Sequence, residues 1–440
     1  MSTVADGLTR RIRPTSRPVP PVFGVDPDAG RRGMRPVADV VIIGGGCAGL
    51  ACAVAIAEQA PDRSTVVIDA LRADRDERTW CFWDDGSNPA PEAVRTSWTR
   101  WEIRTADRAV SAQDAAHPYR MVSASAYRQA MRRRAEGTGA VRVLSDTSVR
   151  SVWDAGARTA VEAGGAVIEA PCVLDARGAD FRQPPENGRV VLYQRFVGQW
   201  ISTTRPVFDP STVTLMDFRE SSSEDQVEFM YVLPISATHA LVESTIFALE
   251  RRRPHAFRED IAHYLQKRWA LGPDEWEVTG EEAGCIPMTD APAMHEALAF
   301  SIGVRGGSTR PSTGYAVARI WRNAHSVATA VRRGRTVPLM RDSARTRTLD
   351  AVFLRFLRDE PAAAPDAFAR MFGGVPGPAV VRFLSERSSV IDELRIIFAL
   401  PKRPFLRAAA RLLGERARAM VRPLGPRRRI HRAGPTREAS

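Results

Sequence analysis

Lysine is almost absent from this 440-residue chain: Lys267 and Lys402 are the only two, so nearly all of its 63 basic residues are arginine. A bias that uniform reads as genomic rather than functional. No run of 18 apolar residues occurs, which excludes a predicted spanning helix. The first residues, MSTVADGLTRRIRP, hold no apolar core and so no secretory signal. The five cysteines, Cys47, Cys52, Cys81, Cys172 and Cys285, form no C-x-x-C pair and no metal-ligand spacing. The expectation is buried reduced thiols in a cytoplasmic protein, with no metal. The net charge of +12 is placed at the ends: residues 1–36 carry +4 and residues 401–440 carry +10, leaving the middle near neutral at −2. No nucleic-acid recognition motif accompanies that charge, so no nucleic-acid partner is expected.

What the chain does have is concentrated between Asp39 and Asp69, DVVIIGGGCAGLACAVAIAEQAPDRSTVVID. This is an apolar strand, a glycine turn, an alanine-rich helix and a second strand ending in an acid. Gly44, Gly46 and Gly49 fill the G-x-G-x-x-G positions, with Gly45 inside the turn. The first makes the tight turn, the second lets backbone approach a pyrophosphate, and the third lets helix and strand pack closely. The phosphates then meet the positive end of the helix dipole. Asp69 stands where a carboxylate accepts a hydrogen bond from a ribose 2′-OH. Dinucleotide binding is the reading that accounts for all of these together.

Around this unit the chain divides by composition and period. Residues 1–36 are rich in Arg and Pro and read as a disordered leader, and 426–440 as a disordered tail. Residues 37–185 and 284–334 read as a discontinuous dinucleotide-binding domain, whose returning strand runs from Val173 into Arg177 and Gly178. Between them, 186–283 alternates as strands (VVLYQRFVGQW, STVTLMDF, VEFMYVLPI, HALVESTIF) and predicts a second sheet that builds a substrate cavity. Residues 335–425 read as mostly helical.

Further motifs follow in order: Thr79-Trp80-Cys81-Phe82, Tyr119-Arg120-Met121-Val122-Ser123, Asp175-Ala176-Arg177-Gly178, and the Q-x-F-x-G of Gln194, Phe196 and Gly198. Leu215-Met216-Asp217, Val242-Glu243-Ser244-Thr245, the Gly306–Tyr315 loop and Phe383-Leu384-Ser385-Glu386 complete the series. In these residues the chain resembles the bacterial lycopene β-cyclases, flavin-dependent enzymes that cyclise carotenoids. Two positions depart from the family pattern: Ser244 stands where family members carry an acid, and Arg310 where they carry a histidine.

The resemblance implies an α/β fold: an FAD-binding Rossmann-like domain with an inserted antiparallel-sheet substrate domain and a helical C-terminal region. It implies FAD, in reduced form, with NADPH or NADH as reductant, and lycopene or a related acyclic carotene as substrate. Protonating a terminal alkene gives a tertiary carbocation. The neighbouring double bond attacks it, and loss of a proton completes a β-ionone ring with no net redox change. Such a weakly basic substrate needs a positioned acid in a site that excludes water, and a carboxyl in apolar surroundings stays protonated near neutral pH. Glu243, flanked by Leu241, Val242 and Ile246, takes that role by resemblance; the alternative is a glutamate on the solvent face of an alternating strand. Asp217 interrupts an apolar run and either faces the cavity as a second acid or ends its strand. Arg305, Gly306, Gly307 and Gly314, with Arg177 and Gly178, are expected to close on the flavin or its pyrophosphate. Trp80, Phe82 and Trp83 read equally as a polyene-lining cluster or as plain core.

At 100° per residue, Arg403, Arg407, Arg411, Arg418 and Arg422 share one side of a helix, with Phe405, Ala409, Leu412, Leu413 and Met420 on the other. This predicts a basic amphipathic helix docking on an anionic membrane from the cytoplasmic side; packing on its own domain is the other reading. A redox flavoenzyme of the same fold, a monooxygenase or prenyl-chain reductase, is the alternative function. A carotenoid-binding protein that keeps flavin only structurally is a third.

Overall fold

A computed structural model describes residues 37–72, 78–178, 189–218, 225–250, 252–293 and 296–421; the expected leader and tail lie outside them. At its centre is a five-stranded sheet in the order Phe300–Ser301, Cys172–Asp175, Val40–Ile43, Thr65–Ile68 and Val141–Leu144, parallel throughout. Its middle strands are runs of β-branched and apolar residues because both faces are covered. The helices Cys47–Gln59, Ala124–Glu136 and Val317–Arg332 share one core with one face. A three-stranded antiparallel layer (Val149–Asp154, Thr159–Ala163, Ala166–Ala170) packs Val161, Ala163 and Ile168 beneath Val41, Ile43 and Ile68 on the other. Cys47–Gln59 is buried almost all round, and its alanines let it lie close to the sheet and to the helix Val317–Arg332.

The second sheet has seven strands, in the order Trp276–Thr289, Val191–Thr203, His239–Ala248, Val227–Pro234, Thr212–Asp217, Arg100–Arg104 and Ala109–Gln113. Neighbours are antiparallel except Thr212–Asp217 and Arg100–Arg104, which run parallel. Two of its strands thus come from residues 100–113, far ahead of the rest in sequence. One face is covered by the helix Pro254–Trp269, whose Ile261, Tyr264 and Leu265 pack on Ile201, Met230, Val232 and Val242. The other face meets a three-stranded sheet (Thr79–Trp83, Tyr119–Ser123, Val94–Trp98) and the C-terminal helices. Phe82 and Trp83 are core residues on opposite faces of that three-stranded sheet: Phe82 joins the core of the five-stranded sheet, its ring edge-to-face with Trp321 at 4.8 Å, and Trp83 packs on Trp101 and Tyr119 at 4.6 Å each.

Among the described residues, five helices longer than one turn follow residue 343, of which Lys402–Val421 is the last. Its Ala408 and Leu412 are buried, and Phe405 stacks on Phe356 at 4.3 Å. Arg407 and Arg411 pair with Glu360 and Asp359. Part of the expected membrane-facing apolar side is therefore used within the chain, while Leu406 and Leu413 remain exposed. Arg422 and the side chain of Met420 lie outside the described residues. The helix before it, Val390–Ala399, exposes Val390, Ile391, Leu394, Ile397 and Phe398.

Candidate active site

Four chain segments leave the parallel sheet at the carboxyl ends of its strands and meet there, the position at which open α/β sheets bind ligands. Gly44–Gly46 follows Val40–Ile43, Asp69 follows Thr65–Ile68, Ala176–Gly178 follows Cys172–Asp175, and Ile302–Gly307 follows Phe300–Ser301. Backbone hydrogen bonds lace them together: Gly44 N–H to Ile68 O (2.7 Å), Ala176 N–H to Ile43 O (2.8 Å) and Ile302 N–H to Asp175 O (2.8 Å). Gly44 has φ +103°, which an L-residue rarely adopts, and a Cβ on Gly49 would lie 1.8 Å from the Gly44 carbonyl oxygen. Nothing lies within 4 Å of where a Cβ on Gly46 would stand, and no side chain caps the helix it opens. The turn therefore offers open space in front of a helix N-terminus, the form a pyrophosphate site takes.

Charges around this crevice are fixed by arginines. Asp69 accepts from Arg128, a fully buried side chain, at 2.5 Å and from the Leu71 N–H at 3.3 Å. Asp175 is fully buried; burial opposes its charge, but bidentate donation from Arg177 (3.0 and 2.7 Å) and the nearby Arg305 hold its carboxyl below the usual range. Arg305 also donates to the carbonyl of Gly178 (3.2 Å) and to Glu296 (3.0 Å). Arg177, Gly178, Arg305, Gly306 and Gly307 are thus brought to one rim with the glycine turn. Gly314 stands apart from them, against Gln194 and Ile286 of the seven-stranded sheet.

Glu243 lies on that second sheet. Strand alternation decides its face: Val242 and Ser244 turn toward the helix Pro254–Trp269, where Ser244 donates to Asp260 at 2.8 Å, and Glu243 turns to the opposite side. The acid expected at position 244 would therefore not share the site of Glu243. In register, Gly198 of the neighbouring strand stands opposite Glu243 on one side and Glu282 on the other. With no side chain between them, the carboxyls of Glu243 and Glu282 hydrogen bond over Gly198. Both are buried, at 6 % and 7 % exposure. The Thr79 hydroxyl donates to Glu282 at 2.7 Å from the facing three-stranded sheet. Tyr231 is the other cross-strand neighbour of Glu243, and its hydroxyl lies 2.9 Å from that of Tyr119. The Cys81 thiol lies among them, and burial pushes it well up, so it stays a thiol.

Burial, and then the Glu282 carboxyl beside it, push Glu243 well above the usual carboxylate range. Burial pushes Glu282 up to about 7, while the Thr79 hydroxyl and N–H pull it down. Near neutral pH the pair holds at least one proton, carried by Glu243 and shared with Glu282. The arrangement is an acid in a water-poor setting of apolar and phenolic side chains.

Asp217 is not brought to this pair. A bulge between Thr214 and Asp217 breaks the alternation, so that Leu215 and Met216 both join the core on the Glu243 side and Asp217 turns to the helix side. There its carboxylate accepts from the Tyr264 hydroxyl (2.9 Å) and Arg268 (3.3 Å) and lies 3.4 Å from Arg104. Arg310 is also structural in its contacts: it lies over the Phe383 ring at 4.7 Å, donates to the Phe383 carbonyl, and reaches Asp350 at 3.3 Å.

Glu282 and Tyr231 are not among the residues singled out from the sequence, and Tyr119 enters there only within the Tyr119–Ser123 motif. The signal for Glu282 is present only in pairing: Glu281 and Glu282 are adjacent, and Glu281 faces the helix side, where Gln199 (3.0 Å) and Arg258 (2.6 and 2.8 Å) donate to it.

Comparison with known proteins places this geometry. The family described as "Lycopene cyclase protein" matches residues 39–410. The lycopene beta-cyclase of Pseudescherichia vulneris is 28 % identical over 410 residues, spanning 89 % of this chain and 99 % of that protein. The lycopene beta-cyclase of a Paracoccus species is 30 % identical over 416 residues, spanning 86 % and 97 %. Among solved structures, a flavoprotein/dehydrogenase from Cytophaga hutchinsonii superposes with a TM-score of 0.57 at 13 % identity, covering 86 % of this chain and all of that one, a likeness of fold.

Proposed function

Because this chain belongs to the lycopene cyclase family, whose match runs over residues 39–410, we propose that it is a lycopene β-cyclase, converting linear ψ end groups of lycopene to β-ionone rings without net oxidation or reduction. The observation that carries the reading is the buried Glu243 carboxyl, kept protonated beside Glu282 on the sheet face away from the helix Pro254–Trp269. Glu243 gives its proton to the terminal alkene, and a tertiary carbocation forms. The ring closes as the next double bond attacks, and a proton returns to the site. The Tyr119 and Tyr231 rings present π-electron density that favours a cation nearby. Asp217, in its arginine and tyrosine contacts, holds the outer face of the sheet that carries Glu243.

The residues at the crevice suit FAD: the open Gly44–Gly46 turn and helix N-terminus for its pyrophosphate, Asp69 for a ribose hydroxyl, and the Arg177, Gly178 and Arg305–Gly307 rim for the rest. Reduced FAD, with NADPH or NADH as the external reductant, supplies an electron-rich ring that stabilises positive charge. The substrate partitions into bilayers, and we assign contact with the cytoplasmic leaflet to the exposed face Val390, Ile391, Leu394, Ile397 and Phe398, flanked by Arg395, Lys402 and Arg403. Exposed apolar side chains ringed by cations are what an anionic lipid surface binds. Among the described residues no helix is long and apolar enough to cross a membrane.

The test is lycopene in liposomes with FAD and an anaerobic reductant, products read by mass and absorption. Equal mass with shorter-wavelength absorption is expected. A gain of oxygen or hydrogen would replace this reading with a redox flavoenzyme, and unchanged bound substrate with a carotenoid-binding protein.

A further inference from the structure

We infer that Glu282 is the proton-sharing partner of Glu243, a positioning residue that sets when Glu243 holds its proton and makes the pair, rather than one carboxyl, the acid–base unit of the site. The inference rests on the proposed cyclisation for its catalytic meaning, but its geometry stands independently. Two glutamates from strands that are not neighbours reach each other because the strand between them carries Gly198 at the register position both face. The approach is tight: a Cβ on Gly198 would lie 2.7 Å from Cγ and 3.3 Å from Oε1 of Glu243. Glu282 is held in place from the far side by the Thr79 hydroxyl at 2.7 Å. That donor favours the ionised form of Glu282, which leaves the shared proton on Glu243.

The proton balance closes within the pair. In its resting state the pair carries one proton and one negative charge. Transfer of that proton to the alkene leaves two carboxylates facing a carbocation, so the positive charge forms where negative charge has just doubled. Two buried carboxylates in contact are a strong base, because each disfavours the charge of the other. Loss of a proton from the carbon skeleton to the pair restores the one-proton state and leaves the ring double bond. One proton leaves and one returns, with no oxidant, reductant or other reactant consumed. A lone Glu243 would lack both the charge that draws the cation and the repulsion that drives the proton's return.

The experiment uses the full chain loaded with FAD. The infrared C=O band of a protonated carboxyl, assigned to Glu243 by its loss in Glu243→Gln, is titrated in the wild type and in Glu282→Gln, alongside the pH profile of kcat/KM for lycopene. Removing the neighbouring charge should lower the titration of the Glu243 band by about one pH unit or more, with the alkaline limb of kcat/KM moving with it. A merely structural role would depress the rate at all pH values and leave both positions in place; that outcome overturns the inference. If Glu282→Gln does not fold, Thr79→Val serves: losing the donor should move the Glu282 titration upward, and an unmoved titration overturns the inference equally. A wild type that shows the coupled titration but does not cyclise lycopene would overturn the proposed function and leave the carboxyl pair standing.

Discussion

A methyl group placed on Gly198 would sit 2.7 Å from Cγ of Glu243. The glycine therefore makes room for the acid, and the space above it is where the Glu243 and Glu282 carboxyls meet. Gly198→Ala should displace the Glu243 side chain while leaving the crevice untouched. Overpacking of this kind costs about 1–3 kcal/mol, and a comparable loss in the transition state lowers kcat about 10–100-fold. Flavin content, read by absorption, should be unchanged.

Glu243→Gln removes the transferable proton but keeps shape and hydrogen bonding. Loss of a general acid typically costs about 10²–10⁴-fold in rate, and KM should move little. Product quantification by chromatography checks it; near-normal cyclisation would reassign the acid.

The pH behaviour follows from the direction of the shifts. Activity needs Glu243 protonated, so the rate should fall as pH rises through its raised value. Stability has the same sign. A carboxyl whose folded pKa is raised contributes fully below its ordinary value of 4.5 and loses that contribution as pH rises through about 7, the position of Glu282. Denaturant midpoints should therefore decline between about pH 5 and 8, and the decline should be smaller in Glu282→Gln.

Asp69→Asn removes the charge facing Arg128, whose side chain is 1 % exposed. Breaking a buried pair from one side costs about 3–5 kcal/mol. Urea unfolding should show a loss of this order, together with weaker FAD retention.

The double substitution Ile391→Ser and Phe398→Ser should weaken binding to anionic liposomes at least tenfold, since each apolar side chain contributes about 1.5–3 kcal/mol when buried. Lys402→Glu should weaken it further at low salt and less at high salt. Vesicle cosedimentation reads both, and unchanged binding would move the docking surface elsewhere.

The dinucleotide crevice was legible because its signal is local: strand, glycine turn, helix and acid lie within one stretch of chain, and hydrophobic period reports each. Glu243 was legible for the same reason, as an acid inside an apolar strand. The family resemblance likewise held over residues 39–410. The rest depends on pairing between distant strands. The bulge after Thr214 turns Asp217 away from the pair, and no local pattern marks it. Arg100–Arg104 and Ala109–Gln113 join the far sheet although their neighbours in sequence, Thr79–Trp83 and Tyr119–Ser123, form another. On the last helix, period alone found an apolar side, but only the packing of Phe405 and Leu412 shows that the chain itself covers much of it.

The strand Trp276–Thr289 carries one residue more than its partner where Thr279 is looped between the pairs Trp200–Gly280 and Ile201–Val278. Ahead of that irregularity, length can drift without consequence for Glu282, because the bulge absorbs it. Beyond it the strand keeps strict parity from Glu282 to Thr289: losing one residue there would bring Glu281 opposite Gly198, and gaining one would bring Ala283. In either case Glu282, the partner of Glu243, would leave the site, with the composition of the strand almost unaltered. In this family of chains, insertions and deletions should therefore gather before residue 280 and avoid the segment 282–289: the presence of the second carboxyl is stored as an odd or even count along a strand.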